Sequence, residues 1–82
     1  MKLALALTDT GLRRAKPRAT PYKMADGGGL FAQVMPNGSI YWRFKYTFGG
    51  KEKLLALGKY PRVKLAEARR AHQAAKTELQ SG

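Results

Sequence analysis

The sequence predicts an α+β fold: a three-stranded antiparallel β-sheet (meander) packed on one face by a C-terminal α-helix, with a short N-terminal arm. Three observations carry that expectation. Between Gly29 and Gly58 the apolar residues alternate with period two, the mark of half-buried strands. Two glycine-bearing breaks, at Asn37-Gly38 and Gly49-Gly50, divide the alternation into three runs. Beyond Pro61 the apolar period changes to that of a helix, with Leu65, Ala68, His72, Ala75 and Leu79 on one stripe.

The expected boundaries are 1–28 for the arm and an irregular segment, 29–58 for the sheet and 62–80 for the helix. Leu3 to Leu7 alternates with alanine, which suits an extended arm lying on the core. Thr8 is a natural N-cap for a brief helical turn ended before Pro17. Lys16 to Lys23, with Pro17 and Pro21, reads as irregular linker, and Asp26-Gly27-Gly28-Gly29 as a turn.

In the first strand Leu30, Ala32 and Val34 share a face. In the second, Trp42, Phe44, Tyr46 and Phe48 do, with Tyr41, Arg43, Lys45 and Thr47 opposite. A two-residue loop at Gly49-Gly50 pairs Phe44 with Leu55 and Trp42 with Leu57, so the apolar faces agree. At the first hairpin a two-residue loop would mix the faces. A three-residue loop, Asn37-Gly38-Ser39, sets Val34 opposite Trp42 and predicts a glycine-bulge hairpin.

Charge is the strongest global signal. Sixteen Lys and Arg stand against five Asp and Glu, a net +11. Residues 1–25 carry six cations and one anion, 26–50 two and one, and 51–82 eight and three, so the excess is not confined to a tail. A folded domain this basic points to a polyanion, usually nucleic acid. There is no cysteine, and a single histidine, His72, cannot make a metal site unaided; no cofactor is expected. The apolar run after Met1-Lys2 is too short for a signal peptide, and no segment has the roughly 20 apolar residues of a membrane span. The chain therefore reads as cytoplasmic and as one small domain.

The predicted helix covers one face of the sheet and leaves Gln33, Tyr41, Arg43, Lys45 and Thr47 uncovered. Those side chains suit base readout in a major groove about 12 Å wide, where Arg bonds bidentately to guanine and Gln to adenine. Lys51, Lys53 and Lys59, near the sheet ends, suit phosphates. Cations on the outer face of an antiparallel sheet also serve solvation alone, and charge patterning leaves both readings open. Asp26-Gly27-Gly28-Gly29 lacks the context of a phosphate loop, since it precedes a strand. His72 reads as a packed residue of the helix stripe. Tyr22, Tyr41, Tyr46 and Tyr60 have no acid–base partners in the pattern, so no catalysis is expected.

At this point a resemblance enters. "LTDTGLRRAKP", "PYKMADGGGLFAQVMPNGSIYWRFKYTFGGKEKLLALGKYP" and "VKLAEARRAHQAAK" occur in that order over about Leu7 to Gln80. Together they resemble the N-terminal arm-type DNA-binding domain of phage-type tyrosine recombinases, the prophage and genomic-island integrases. The resemblance implies a three-stranded sheet inserted in the major groove of double-stranded DNA at arm-type sites. It implies a role in DNA integration and excision beside other integrase protomers or accessory DNA-bending proteins, in association with the bacterial nucleoid. The catalytic domain, with its Arg-His-Arg set and tyrosine nucleophile, is absent, and the chain reads as a fragment of a larger recombinase. The family's variable outward positions fall on Phe31, Gln33, Met35, Tyr41, Arg43, Lys45 and Thr47.

Departures from the pattern are Met35 and Leu54, which make the sheet face more apolar, and Lys64, which stands where a Ser-type helix cap is common and forgoes a capping box. The other reading is a protein-interaction module docking another integrase domain or protomer through the exposed sheet. RNA is disfavoured because A-form major grooves exclude a sheet. A membrane surface is disfavoured because the helix lacks a broad apolar face with aromatics. The isolated domain is expected to be a monomer.

Overall fold

The computed structural model describes residues 7–81. Its elements are α1 (Asp9–Arg14), β1 (Tyr22–Gly27), β2 (Leu30–Val34), β3 (Ile40–Phe48), β4 (Lys51–Tyr60) and α2 (Leu65–Ser81). The strands form one antiparallel sheet in the order β1-β2-β3-β4, and α2 lies across its inner face. The α+β class and the C-terminal helix agree with the expectation from sequence. The strand count does not: there are four strands, not three.

The extra strand is β1, in residues assigned to irregular linker and turn. Its partner is β2, with Tyr22 opposite Val34, Lys23 opposite Gln33, Met24 opposite Ala32 and Ala25 opposite Phe31. Tyr22, Met24 and Asp26 point inward. Because the last of these is an acid, the alternation reads as polar and the strand is hidden. Only Gly28 and Gly29 remain as the turn, and a Cβ on Gly29 would collide with the Lys45 carbonyl oxygen. Gly29 O in turn accepts from Lys45 N–H at 2.8 Å, so the β1–β2 turn is stitched to β3.

Two register details also differ. The first hairpin does close over three residues, but they are Pro36, Asn37 and Gly38, with Met35 N–H donating to Ser39 O at 2.8 Å. Val34 therefore faces Ile40, and Ala32 faces Trp42. At the second hairpin Phe44 faces Leu55 as expected. A bulge then places Trp42 opposite Gly58 instead of Leu57. Gly58 has φ +123, and a side chain there would occupy the space taken by Val63. That open space lets the chain after β4 close over the indole, whose Nε1–H donates to Val63 O at 2.7 Å.

The core follows from the inner faces. Leu30, Ala32, Val34, Ile40 and Trp42 from the sheet meet Leu65 and Ala68 from α2 and Leu12 from α1. Trp42 is fully buried, with Tyr60 edge-on at 6.4 Å. An indole of this size buries roughly 150–250 Å², worth up to about 5 kcal/mol by area. α1 is capped as its sequence predicts, Thr8 Oγ1 accepting from Gly11 N–H at 3.0 Å. Of the expected arm, Leu3 to Ala6 lie outside the described residues, while Leu7 is buried.

α2 begins at Leu65, three residues later than expected, because Pro61 to Lys64 turn the chain off the sheet edge. Half of a capping box is present after all. Glu67 reaches back to accept from the Lys64 N–H at 2.9 Å, and its carboxylate offsets the cation at the helix start.

An ion pair around a buried carboxylate joins β1, α2 and the segment before α1, with the Arg69 side chain 37% exposed. Asp26, 1% exposed, accepts from Arg69 Nε at 2.9 Å, from Arg69 Nη2 at 2.8 Å and from Leu7 N–H at 3.2 Å. Arg69 Nη2 also donates to Leu7 O at 3.1 Å. Hydrogen bonds from Arg69 hold the Asp26 carboxyl below the usual carboxylate range, against burial, which pushes it up.

Three predictions concern stability. Arg69→Ala leaves Asp26 buried without its counter-ion; because the Arg69 side chain is 37% exposed and solvent screens the pair, urea unfolding at pH 7 should show a loss of roughly 1–3 kcal/mol. A depressed acid stabilises the fold above its unfolded pKa of about 4 and ceases to do so as pH falls through its folded value. The advantage of the wild-type chain over Asp26→Asn should therefore be full at pH 5–7 and shrink below about pH 4. Gly29→Ala should cost roughly 2–3 kcal/mol in the same assay, through the positive φ and the collision with β3; a wild-type midpoint for this variant would refute the close approach.

Candidate nucleic-acid interface

Opposite residues of an antiparallel pair project from the same face, so the registers fix what the outer face presents. One row runs across all four strands as Lys23, Gln33, Tyr41 and Lys59. The next is Ala25, Phe31, Arg43 and Ala56. Farther along the β3–β4 hairpin come Lys45 opposite Leu54 and Thr47 opposite Glu52. α1 and α2 both pack against the inner side, through Leu12, Leu65 and Ala68.

Contacts across the strands hold the charged heads on this surface. The Arg43 Nε–H donates to Gln33 Oε1 at 3.4 Å, a long bond that orients the guanidinium more than it stabilises it. Arg43 Cζ lies 5.3 Å and Lys59 Nζ 5.7 Å from the Tyr41 ring centroid, so one aromatic ring carries two cations. Lys23 Nζ is 4.9 Å from the centre of Phe31, which is outward-facing yet buried. Each such contact contributes about 0.5–1 kcal/mol at an exposed site. Lys45 pairs with Glu52 at 3.2 Å, both well exposed, a contact worth well under about 1 kcal/mol.

The residues expected from the sequence separate into two groups. Gln33, Tyr41 and Arg43 form one half-buried cluster, and Lys45 and Thr47 continue the same face into solvent. Lys51 and Lys53 face Phe48 and Tyr46, so they project on the helix side of the hairpin tip. As cations on an edge strand they also deter edge-to-edge pairing. Lys23 and Lys59 close the first row at either end. Lys59 was legible as a cation near a sheet end. Lys23 was hidden with β1, and only the spacing of Tyr22 and Met24 around it signalled a strand.

Among the described residues no three His, Asp or Glu gather as a metal site, and no helix is long and apolar enough to cross a membrane.

The profile of the arm DNA-binding domain matches residues 7–82. The chain belongs to that family. The integrase of Shigella phage Sf6 is 40% identical over 76 residues, covering 93% of this chain and 20% of its own length. The integrase of Enterobacteria phage P4 is 50% identical over 70 residues, covering 83% of this chain and 16% of its own length. Prophage integrase IntZ of Escherichia coli is 42% identical over 78 residues, with 19% of its length matched. The chain thus spans a fifth or less of the relatives it matches. In this arm DNA-binding domain the uncovered, cation-bearing surface is the outer face of β1–β4.

Proposed function

We propose that the chain binds double-stranded DNA sequence-specifically, seating the outer face of its sheet in the major groove of arm-type sites. In this reading it is the DNA-tethering part of a site-specific integrase and supports integration and excision. The supporting observation is the row Lys23–Gln33–Tyr41–Lys59 with Arg43 beside it, on a face against which neither helix packs.

Arg43 and Gln33 have the functional groups that read guanine and adenine, and their mutual hydrogen bond uses only Nε of the guanidinium. The two terminal nitrogens remain for a base edge. Lys23 and Lys59, at the ends of the row, suit the phosphates on either wall of the groove. Lys51 and Lys53 reach phosphates only from the flank of the hairpin tip. Strand exchange would be carried out by other parts of the integrase, with further protomers or DNA-bending proteins assembled on the same nucleoid DNA.

A protein-docking reading draws support from Leu54, 56% exposed on the same outer face beside Lys45. Salt separates the two. DNA binding weakens steeply with ionic strength, whereas an apolar protein contact does not.

The test is an amide-shift and anisotropy titration with duplexes from an attachment-site flank and with a scrambled duplex. Arg43→Ala should weaken the specific complex by about 1–3 kcal/mol and relax preference at one base pair. Lys59→Ala should weaken all duplexes alike and reduce the salt slope by roughly one, with Lys51→Ala having the smaller effect. An Arg43→Ala chain of undiminished cognate affinity would exclude the sheet-in-groove arrangement.

A further inference from the structure

The outer face is not the only basic surface. Arg14, Lys16, Arg18 and Lys23 line a groove of about 540 Å³ between the segment that follows α1 and strand β1. Its other walls are Ala15, Tyr22 and Met24, so none of its lining residues is acidic. Arg13, next in the chain, is instead turned into an ion pair with Asp9 at 3.2 Å.

The proline-containing segment that forms one wall is pinned. The Tyr22 hydroxyl donates to Lys16 O at 2.6 Å, and the Arg18 guanidinium sits 4.1 Å from the centre of the same ring. One tyrosine thus fixes the backbone of the wall and provides a platform for its cation. Holding four cations along one groove costs repulsion that a polyanion would remove.

The width of the sheet indicates which polyanion. Neighbouring strands lie about 4.8 Å apart, so four span ~14 Å between the outermost axes. The major groove is about 12 Å wide. All four strands cannot sit on its floor, and an edge strand must ride on a wall, which is sugar and phosphate. β1 is an edge strand, and its Lys23 belongs both to the outer-face row and to the basic groove.

We propose that the β1-side groove is a second DNA contact, in which Arg14, Lys16 and Arg18 grip the phosphate backbone of the duplex whose major groove receives the sheet. The inference rests on the DNA-binding reading above and extends its footprint beyond the sheet. The contact is independent of sequence. It fixes how the sheet is registered in the groove and which edge leads.

The test uses a mixed-sequence duplex about three helical turns long, so it needs no knowledge of the cognate site. Anisotropy titrations between about 50 and 200 mM salt compare the wild-type chain with Arg14→Ala/Lys16→Ala/Arg18→Ala. A control, Arg62→Ala/Lys64→Ala/Arg70→Ala, removes the same charge from exposed residues on and before α2. All six side chains are exposed, and thermal melts confirm that each variant is folded. The groove variant should lower the log–log salt slope by about 2–3 units and the affinity at least about tenfold, the control by less than about one unit. An unchanged slope in the groove variant, or equal losses in both, overturns the second contact while leaving the sheet reading intact. A wild-type chain that binds no duplex overturns the sheet reading, and the second contact with it.

Discussion

The pair between the buried Asp26 carboxylate and the Arg69 guanidinium is the constraint on which the arrangement depends. Asp26 is on β1, Arg69 on α2, and Leu7, bonded to both, precedes α1. A sheet edge, the covering helix and the N-terminal segment are thus locked by one carboxylate. Hydrophobic burial would hold α2 somewhere on the inner face, but it is non-directional. The bidentate fork sets where along the face the helix lies, since the carboxylate can be satisfied in one placement only. The cost of removing Asp26 from water is what makes that placement selective.

Because α2, α1 and the segment after β4 all converge on the inner face, the outer face is left to solvent. His72 illustrates how fully the inner side is used. It is buried on the helix stripe, edge-on to Phe44 at 4.6 Å, with Nε2 3.0 Å from Gly28 O. The helix therefore touches the β1–β2 turn as well as the sheet. A rigid sheet fixed from behind is a suitable platform for recognition, since few side-chain or backbone freedoms remain to be lost on binding.

The helix, the β2–β4 alternation and the outward set Gln33, Tyr41, Arg43, Lys45 and Thr47 were legible because each rests on a period, and periods survive exposure and charge. β1 was not legible, for one physical reason. Its inward position Asp26 is polar, and the partner that makes burial tolerable, Arg69, lies 43 residues away. No local pattern reports a long-range ion pair. The Trp42 register failed similarly: the bulge at Leu57 exists to let Val63 close over the indole, a contact set by tertiary packing. For Lys51 and Lys53 the sequence indicated only a place near a sheet end, which does not define a face; the Gly49-Gly50 register does, and it sets them opposite Phe48 and Tyr46. The half capping box at Lys64 depended on a glutamate three residues on, legible once the helix start was known.

The acidic residues show why the excess charge must be answered from outside. Asp9 pairs with Arg13 and accepts from the Tyr60 hydroxyl at 3.1 Å, joining α1 to the end of β4. Burial is the main reason the Tyr60 hydroxyl is pushed up, with Asp9 adding to it. Asp26 locks the helix, Glu52 meets Lys45, and Glu67 caps α2. Asp9, Asp26 and Glu67 thus make contacts within the fold and Glu52 pairs with Lys45 on its surface, against sixteen Lys and Arg. Folding cannot neutralise the remainder, and it places part of it in two contiguous sets, the outer row and the β1-side groove. Scattered cations would serve solubility equally well. Cations arranged along one edge, with aromatic rings holding them, concentrate the field where an extended anion can lie along it.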